Sequence, residues 1–380
     1  MEIRTKIIRG GSSKGVFLDA SEVPPAGPTR DAMILRLFGT PDRRQIDGLG
    51  GADKLTSKVA IIGPSSRTDC DVAYLFGQVG TEHPTVDWQS NCGNISAGAA
   101  LYAAHQGLGN ASENHRLIRI EQSNTGRVLE AMVPVTNGTP LKTGDFAIGG
   151  VPGQGPKIDL DFRDFSGSCL NRGLFPTGER RSLVAVPGIG QLEVTVVDMA
   201  NLHIFVHANE LNIRPSDSLD TLQANCGLLE RLDSLRATVA LELGFFSNAE
   251  LALSLSRNMN PLVHIIDSAH TYRAGSGQPI PQGDMDLLVR SYSRGQFSKA
   301  FPGTGAVGTA VAACIEHTVP YLARIASGSE TPCQRVSLGH PGGTMSIDVG
   351  VNESNGEHHV TRAQLGRTAR LLMSGIAYLD

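Results

Sequence analysis

Gln89-Ser90-Asn91-Cys92-Gly93-Asn94-Ile95-Ser96-Ala97-Gly98-Ala99-Ala100-Leu101-Tyr102-Ala103-Ala104 is the stretch on which the fold turns. A single thiol stands among polar and glycine residues, and a run of small apolar residues follows it. Alanine is the best helix former, so the run from Ile95 predicts a loop entering a buried helix. Cys92 then falls at or just before the helix N-terminus. Unpaired backbone N–H groups and the positive dipole end at such a place lower a thiol's pKa and attract anions. Gly93 permits close backbone approach to a ligand. Asn91 and Asn94 can cap the helix or donate amide hydrogens to a carboxylate. Most free cysteines are packing residues, so the rest of the chain has to support a reactive reading.

At 380 residues the chain exceeds one ordinary core, and two domains are expected. Hydrophobic residues make up 40% and charged residues 18%, a balance that fits a soluble globular protein and excludes a disordered one. A net charge of −4 without a basic block, and a single tryptophan (Trp88), recommend no nucleic-acid partner. No apolar run reaches the ~18 residues of a membrane span. Met1-Glu2-Ile3-Arg4-Thr5-Lys6 begins a strand pattern and lacks a signal-peptide core. The six cysteines are scattered, with no CxxC pair and no zinc-like spacing. They suit a reducing compartment, and a cytoplasmic protein without a metal site is expected. Nothing in the chain sets a subunit count, and a homo-oligomer is one assembly it admits.

Upstream of the cysteine, Thr5–Arg9 reads as a strand that enters Gly10-Gly11-Ser12-Ser13-Lys14-Gly15. This loop offers N–H and hydroxyl donors to an anion, but it lacks the GxxxxGK[ST] spacing of a nucleotide loop. Residues 29–40 predict an amphipathic helix with Thr29 as N-cap and Gly39 as stop. Lys58 opens the apolar run Val59-Ala60-Ile61-Ile62. A lysine at the mouth of a buried strand is either desolvated and usable as a base or snorkels to solvent. Strands follow at 72–79, 117–121 and 128–135, the last two joined by the turn Ser123-Asn124-Thr125-Gly126-Arg127.

The turn-rich segment 166–182 suggests a domain crossover, giving one domain of 1–182 plus about 360–380 and another of 183–359. The second half repeats the first in outline. Strands at 183–187 and 191–198 precede helices at 216–226 and 229–243, and strands return at 262–267 and 286–292. Phe301-Pro302-Gly303-Thr304-Gly305-Ala306 then enters a second Ala-rich helix, as the cysteine stretch does. Two such helix N-termini turned on one pocket would suit a multiply charged anion. After Gly339-His340-Pro341, the reading ends with strand 344–351, a helix over 361–373 and a short strand at 376–379.

Asn91-Cys92-Gly93-Asn94 resembles the first catalytic-cysteine motif of diaminopimelate epimerase, and residues 301–306 resemble its second, with Pro302 in place of the second cysteine. That replacement counts against a two-thiol racemase. The remaining motifs resemble the 2-methylaconitate cis-trans isomerase and 4-oxalomesaconate tautomerase family, which includes methylitaconate delta-isomerase. They are Arg9-Gly10-Gly11-Ser12-Ser13-Lys14-Gly15, Asp47-Gly48-Leu49-Gly50-Gly51, Thr56-Ser57-Lys58-Val59-Ala60, Asp87–Asn94, Gly150-Val151-Pro152-Gly153, Gly339-His340-Pro341 and Arg367-Thr368-Ala369-Arg370.

The resemblance implies an α/β (α+β), diaminopimelate epimerase-like fold of two similar domains, each with a curved sheet wrapped around a central helix. It also implies proton transfer by Lys58 and Cys92, no cofactor and no metal. Its expected substrate is a small unsaturated di- or tricarboxylate, first of all 2-methylaconitate. Tautomerase, delta-isomerase and non-catalytic tricarboxylate-binding readings stand as alternatives. Removing the proton allylic to a conjugated carboxylate gives a dienolate, and reprotonation shifts the double bond or, after rotation, exchanges cis and trans. Such chemistry needs a base and fixed positive potential. Which of Lys58 and Cys92 is base and which is acid stays open. Ser12, Ser13, Asn91, Gly93, Asn94, Gly303, Thr304 and Gly305 are expected to bind carboxylates, with Arg9, Lys14, Ser123, Thr125 and His340 as further candidates.

Overall fold

A computed structural model describes residues 1–248, 255, 258–329 and 333–379. Its contacts divide the chain into one unit of Met1–Asp161 with Gly366–Asp380 and another of Phe162–Leu365. The break lies ahead of the turn-rich 166–182 segment, and the reason is hydrogen bonding. Gly167 N–H donates to the Asp198 carbonyl, Asp198 N–H donates to the Leu174 carbonyl, and Cys169 and Leu170 N–H groups donate to the Asp198 carboxylate. That segment is therefore tied to the second unit's own strands.

In the first unit, Glu2–Gly10 pairs antiparallel with Ser13–Asp19, which runs parallel to Lys58–Gly63. Lys58–Gly63 pairs antiparallel with Val72–Val79, and the latter runs parallel to His115–Gln122. Arg127–Thr136 and Ile158–Asp161 complete that edge. The helix Gly93–His105 touches strands from every part of this sheet, including Ala369–Tyr378 at the opposite edge. Eleven of its residues are buried, so it is a central helix with strands wrapped around it. Small side chains make this geometry accessible. A Cβ on Gly98 would stand 2.6 Å from Phe17 Cζ, and one on Gly10 would stand 2.3 Å from the Asn94 carbonyl. Real Cβ atoms do not approach so closely, so both positions require glycine.

The second unit repeats the order. Gly190–Met199 pairs with Asn201–His207, which runs parallel to Leu262–Ser268; that strand pairs with Leu287–Ser293, which runs parallel to Arg335–His340. The hairpin Gly343–Ser354 and Glu357–Arg367 follows. The helix Gly303–Ala313 is buried along its whole length and touches Gly190–Met199, Asn201–His207, Arg335–His340 and Gly343–Ser354. Both units therefore place a glycine- and alanine-rich helix in the same slot of the same strand sequence.

Two expectations fail locally. The first helix is Pro28–Phe38, capped by Gly27 and not by Thr29, because proline at the first position already has the helical φ and lacks only an N–H that has no partner there. Gly39 does stop it, in the left-handed region at φ 74°. The helix expected over 361–373 is instead two strands, Glu357–Arg367 and Ala369–Tyr378. The first is held by an Asn355-Gly356 turn, both residues at positive φ, which is the usual chemistry of a tight hairpin. The second is recruited as partner by Glu2–Gly10 from the far end of the chain. Helix propensity is a weak prior that such pairing overrides. Among the described residues, no helix is long and apolar enough to cross a membrane.

Candidate active site

Cys92 is the N-cap of the Gly93–His105 helix, in extended backbone (φ −133°, ψ 98°), and only 8% exposed. Its N–H donates to Asn91 Oδ1 (2.7 Å), and its carbonyl accepts from both the N–H and the hydroxyl of Ser96 (3.0 Å each). The approach to it is fixed by Asp87, which accepts from Gln89 N–H (2.8 Å) and the Ser90 hydroxyl (2.6 Å). Trp88 Nε1–H donates to Asp31 (3.0 Å), and the Arg30 guanidinium lies 4.0 Å from the indole. The thiol is thus held where first-turn N–H groups and the helix dipole concentrate positive potential.

The Gly10–Lys14 loop sits directly on this helix end. Asn94 Nδ2 donates to the hydroxyls of Ser12 (3.1 Å) and Ser13 (3.5 Å). Gly11 has φ +52°, and a Cβ there would overlap Asn94 Oδ1 at 2.2 Å. Arg9 donates to the Gly11 and Thr368 carbonyls (2.9 Å each), and burial lowers its pKa, with Arg370 adding to the effect. Lys14 is half-buried and joins the loop through its backbone N–H, which donates to the Leu55 carbonyl.

Lys58 is 3% exposed at the start of its strand, opposite Gln78 in the antiparallel register. Its Nζ donates to Gln78 Oε1 (2.6 Å) and lies 5.1 Å from the centroid of Phe76. The Gln78 amide cannot be flipped without loss, since its Nε2 donates to the carbonyls of Ser57 (2.9 Å) and Lys54 (3.2 Å).

Tyr74, Phe76 and Gln78 alternate on one face of the same strand. Burial, then the neighbouring Cys92 sulfur, push the Tyr74 phenol well above its ordinary range, while Ser96 draws it back. One end of this face therefore meets the thiol and the other holds the amine. Three strand residues separate Tyr74 from Gln78, a span of about 13 Å, so the neighbour of Cys92 and the partner of Lys58 stand at different points of one strand face.

Arg367 was not among the expected site residues, although its motif was. It is 2% exposed, donates through Nε to Asn94 Oδ1 (2.9 Å), and bonds the Gly366 carbonyl. Burial brings its pKa down to about 10, opposed by the neighbouring Cys92. At neutral pH it is a buried cation at the cysteine end of the site. Gln78 was likewise missed. The signal for it was its place in the alternating run Val72–Val79, two positions along from Phe76 on the face that Lys58 reaches.

The remaining candidates fall in a turn of the first unit and in the second unit. Ser123 is exposed, and the Thr125 hydroxyl is taken up within its own turn by Gln122. Their neighbour Asn124 is the structural residue of that turn, bonding Phe76 N–H and carbonyl (2.8 Å each) and the Trp88 carbonyl (2.7 Å). In the second unit, Gly303, Thr304 and Gly305 form the first turn of the companion helix after the N-cap Pro302. Thr304 Oγ1 accepts from Asn201 Nδ2 (2.8 Å), and Gly305 leaves room for His264. His340 is buried, its Nδ1 accepting from Gly342 N–H (3.0 Å) and its ring 6.5 Å from Phe301.

A repeated wrapped-helix arrangement, with a buried amine and a helix-capping thiol in one unit, is an epimerase-like fold. The chain belongs to the family described as PrpF protein, which matches residues 1–380. It is 36% identical to the 2-methyl-aconitate isomerase of Shewanella oneidensis over 99% of this chain and 96% of that one. It is also 36% identical to the 3-methylitaconate isomerase of Eubacterium barkeri over 100% of this chain and 98% of the relative. The crystal structure of a methylitaconate-delta-isomerase superposes with a TM-score of 0.81 at 36% identity, covering 100% of this chain and 96% of that one. The protein is an isomerase.

Proposed function

We propose that the protein moves a proton on a small unsaturated polycarboxylate, interconverting cis and trans 2-methylaconitate. What supports this reading is a buried Lys58 bonded to Gln78, on the strand face that also carries Tyr74, whose phenol is pushed up by Cys92 at a helix N-terminus. One of the pair removes the allylic proton and the other returns a proton at a carbon of the delocalised anion. As base, Lys58 has to be neutral, and burial favours the neutral form of an amine. First-turn N–H groups at Gly93 and Asn94, with the Arg367 cation beside them, offer potential to a carboxylate or to charge developing in the dienolate. Rotation within that anion exchanges cis and trans, whereas reprotonation at the far carbon shifts the double bond. The resemblance to a methylitaconate-delta-isomerase at a TM-score of 0.81 keeps the double-bond shift as the second reading.

The test is proton NMR in deuterated buffer with cis- and trans-2-methylaconitate, 3-methylitaconate and 4-oxalomesaconate. Deuterium should enter the allylic position of the true substrate. Lys58→Ala should abolish exchange while substrate affinity stays within about tenfold, ~1.4 kcal/mol. Exchange that persists in Lys58→Ala removes the lysine from the mechanism.

A further inference from the structure

A second thiol cluster lies in the other unit and takes no part in the reaction above. Cys314 caps the C-terminus of the Gly303–Ala313 helix, its N–H bonded to the Val311 carbonyl (3.2 Å). Cys333 leads into the strand Arg335–His340 and is partly exposed. The Cys314 side chain reaches the Cys333 residue: Cys314 Sγ donates to the Cys333 carbonyl (3.8 Å), and each sulfur shifts the other's pKa. Cys333 Sγ is 3.2 Å from the Arg335 carbonyl. Arg324, on the helix Val319–Ala326 and 3% exposed, is near enough for its positive charge to lower the pKa of both sulfurs. Asp286 is the opposing charge, but its carboxylate is engaged by the Ser329 hydroxyl (2.6 Å) and Ser337 N–H (2.8 Å).

We propose that Cys314 and Cys333 form an oxidisable dithiol, which peroxide closes to a disulfide joining the end of the Gly303–Ala313 helix to the lead of strand Arg335–His340.

The chemistry divides the roles. Thiolate, not thiol, attacks peroxide. Cys333 is the attacking group, because the neighbouring Cys314 thiol and the Arg324 cation lower its pKa, while Cys314 is pushed up by Cys333 and by burial. Its sulfur takes one peroxide oxygen as a sulfenic acid, and the other oxygen leaves as hydroxide, which takes up a proton as water. Cys314 then gives up its proton and attacks the sulfenic sulfur, expelling a second water. Two thiols lose two electrons and two protons, and one peroxide becomes two waters. With Cys314 Sγ already on the Cys333 carbonyl, the two sulfurs have to close to about 2.05 Å.

The other thiols differ: burial pushes Cys70 and Cys169 up, Cys92 is only 8% exposed, and the exposed Cys226 opens the helix Cys226–Glu242 with no cysteine bonded to it among the described residues.

The experiment treats the full-length protein with hydrogen peroxide, blocks remaining thiols with N-ethylmaleimide and maps peptides without reduction. The expected result is a crosslinked 314–333 peptide, loss of two of the six thiols, and full recovery with dithiothreitol. Cys314→Ser should leave Cys333 to advance to sulfinic acid with no crosslink, and Cys333→Ser should leave Cys314 unmodified. Circular dichroism of both variants establishes that they are folded. Uncrosslinked Cys333 in the oxidised wild-type chain, or oxidation of Cys226 ahead of Cys333, overturns the proposal.

Discussion

Replacing Gln78 by methionine tests whether the lysine is held as described. The side chain keeps roughly its length and volume but loses the acceptor 2.6 Å from Lys58 Nζ, together with two donors to the Ser57 and Lys54 carbonyls. A hydrogen bond to a charged group contributes about 1.5–3 kcal/mol, one between neutral groups about 0.5–1.5, and an orphaned carbonyl costs about 1. Gln78→Met alone should therefore cost roughly 4 kcal/mol, a large share of the 5–15 kcal/mol typical of a folded domain.

In a Lys58→Met background the amine contact is already gone, and the same change should cost only the roughly 2 kcal/mol of the two carbonyls. Urea unfolding of the wild type, both single variants and the double variant gives the coupling energy. About 1.5–3 kcal/mol reports an ammonium on Gln78, and about 0.5–1.5 a neutral amine. Kinetically, an amine displaced by ~1 Å should lose about 100-fold in deuterium exchange. Additivity within about 0.5 kcal/mol, or unchanged exchange in Gln78→Met, refutes the reasoning.

Gly11→Ala places a left-handed alanine at φ +52° with its Cβ on Asn94 Oδ1. The conformation costs about 1–2 kcal/mol and the displaced Asn94–Arg367 bond about 1.5–3 more, read by urea unfolding. Asn94→Gly in the same background relieves the overlap but leaves the Asn94–Arg367 bond lost, so little stability should return. Arg367→Met removes the donor to Asn94 Oδ1 and the cation beside Cys92. KM for the proposed carboxylate substrate should rise, and no change in KM or salt dependence would remove the arginine from the anion field.

The buried pair His203–His264 (Nδ1···Nε2 2.8 Å) is kept neutral by burial, which brings His203 down to about 4. A folded pKa below the unfolded value of 6.5 means that the unfolded chain binds the extra proton. Stability is therefore full above about pH 6.5 and falls as pH drops toward 4, by roughly 3 kcal/mol for His203 alone. His203→Gln should flatten that part of the urea-unfolding profile.

Much of the active-site region could be read locally. The Gly–Ala run of residues 93–105 has no polar face for water, so it had to be enclosed, and Val72–Val79 declared itself through alternation. Cys92 is at its helix cap and Lys58 at its strand start, because short-range patterns set both positions. What was missed depends on partners remote in sequence. Arg367 reaches Asn94 across 273 positions, and its segment looked helical because Ala, Gln, Leu and Arg are good helix formers. The Asn355-Gly356 turn was the overlooked local signal.

Residue order alone determined that two glycine-led helices had to be buried in similar surroundings, since neither has a surface that solvent stabilises. It also placed the thiol and the amine at the ends of regular elements. Only the folded chain decided which groups accompany them: Gln78 across the ladder, Tyr74 on the same strand face and Arg367 from the other end of the chain. A strand's neighbours are chosen by burial and register among many equivalent edges, and that choice is made by the whole packed unit, not by any one segment.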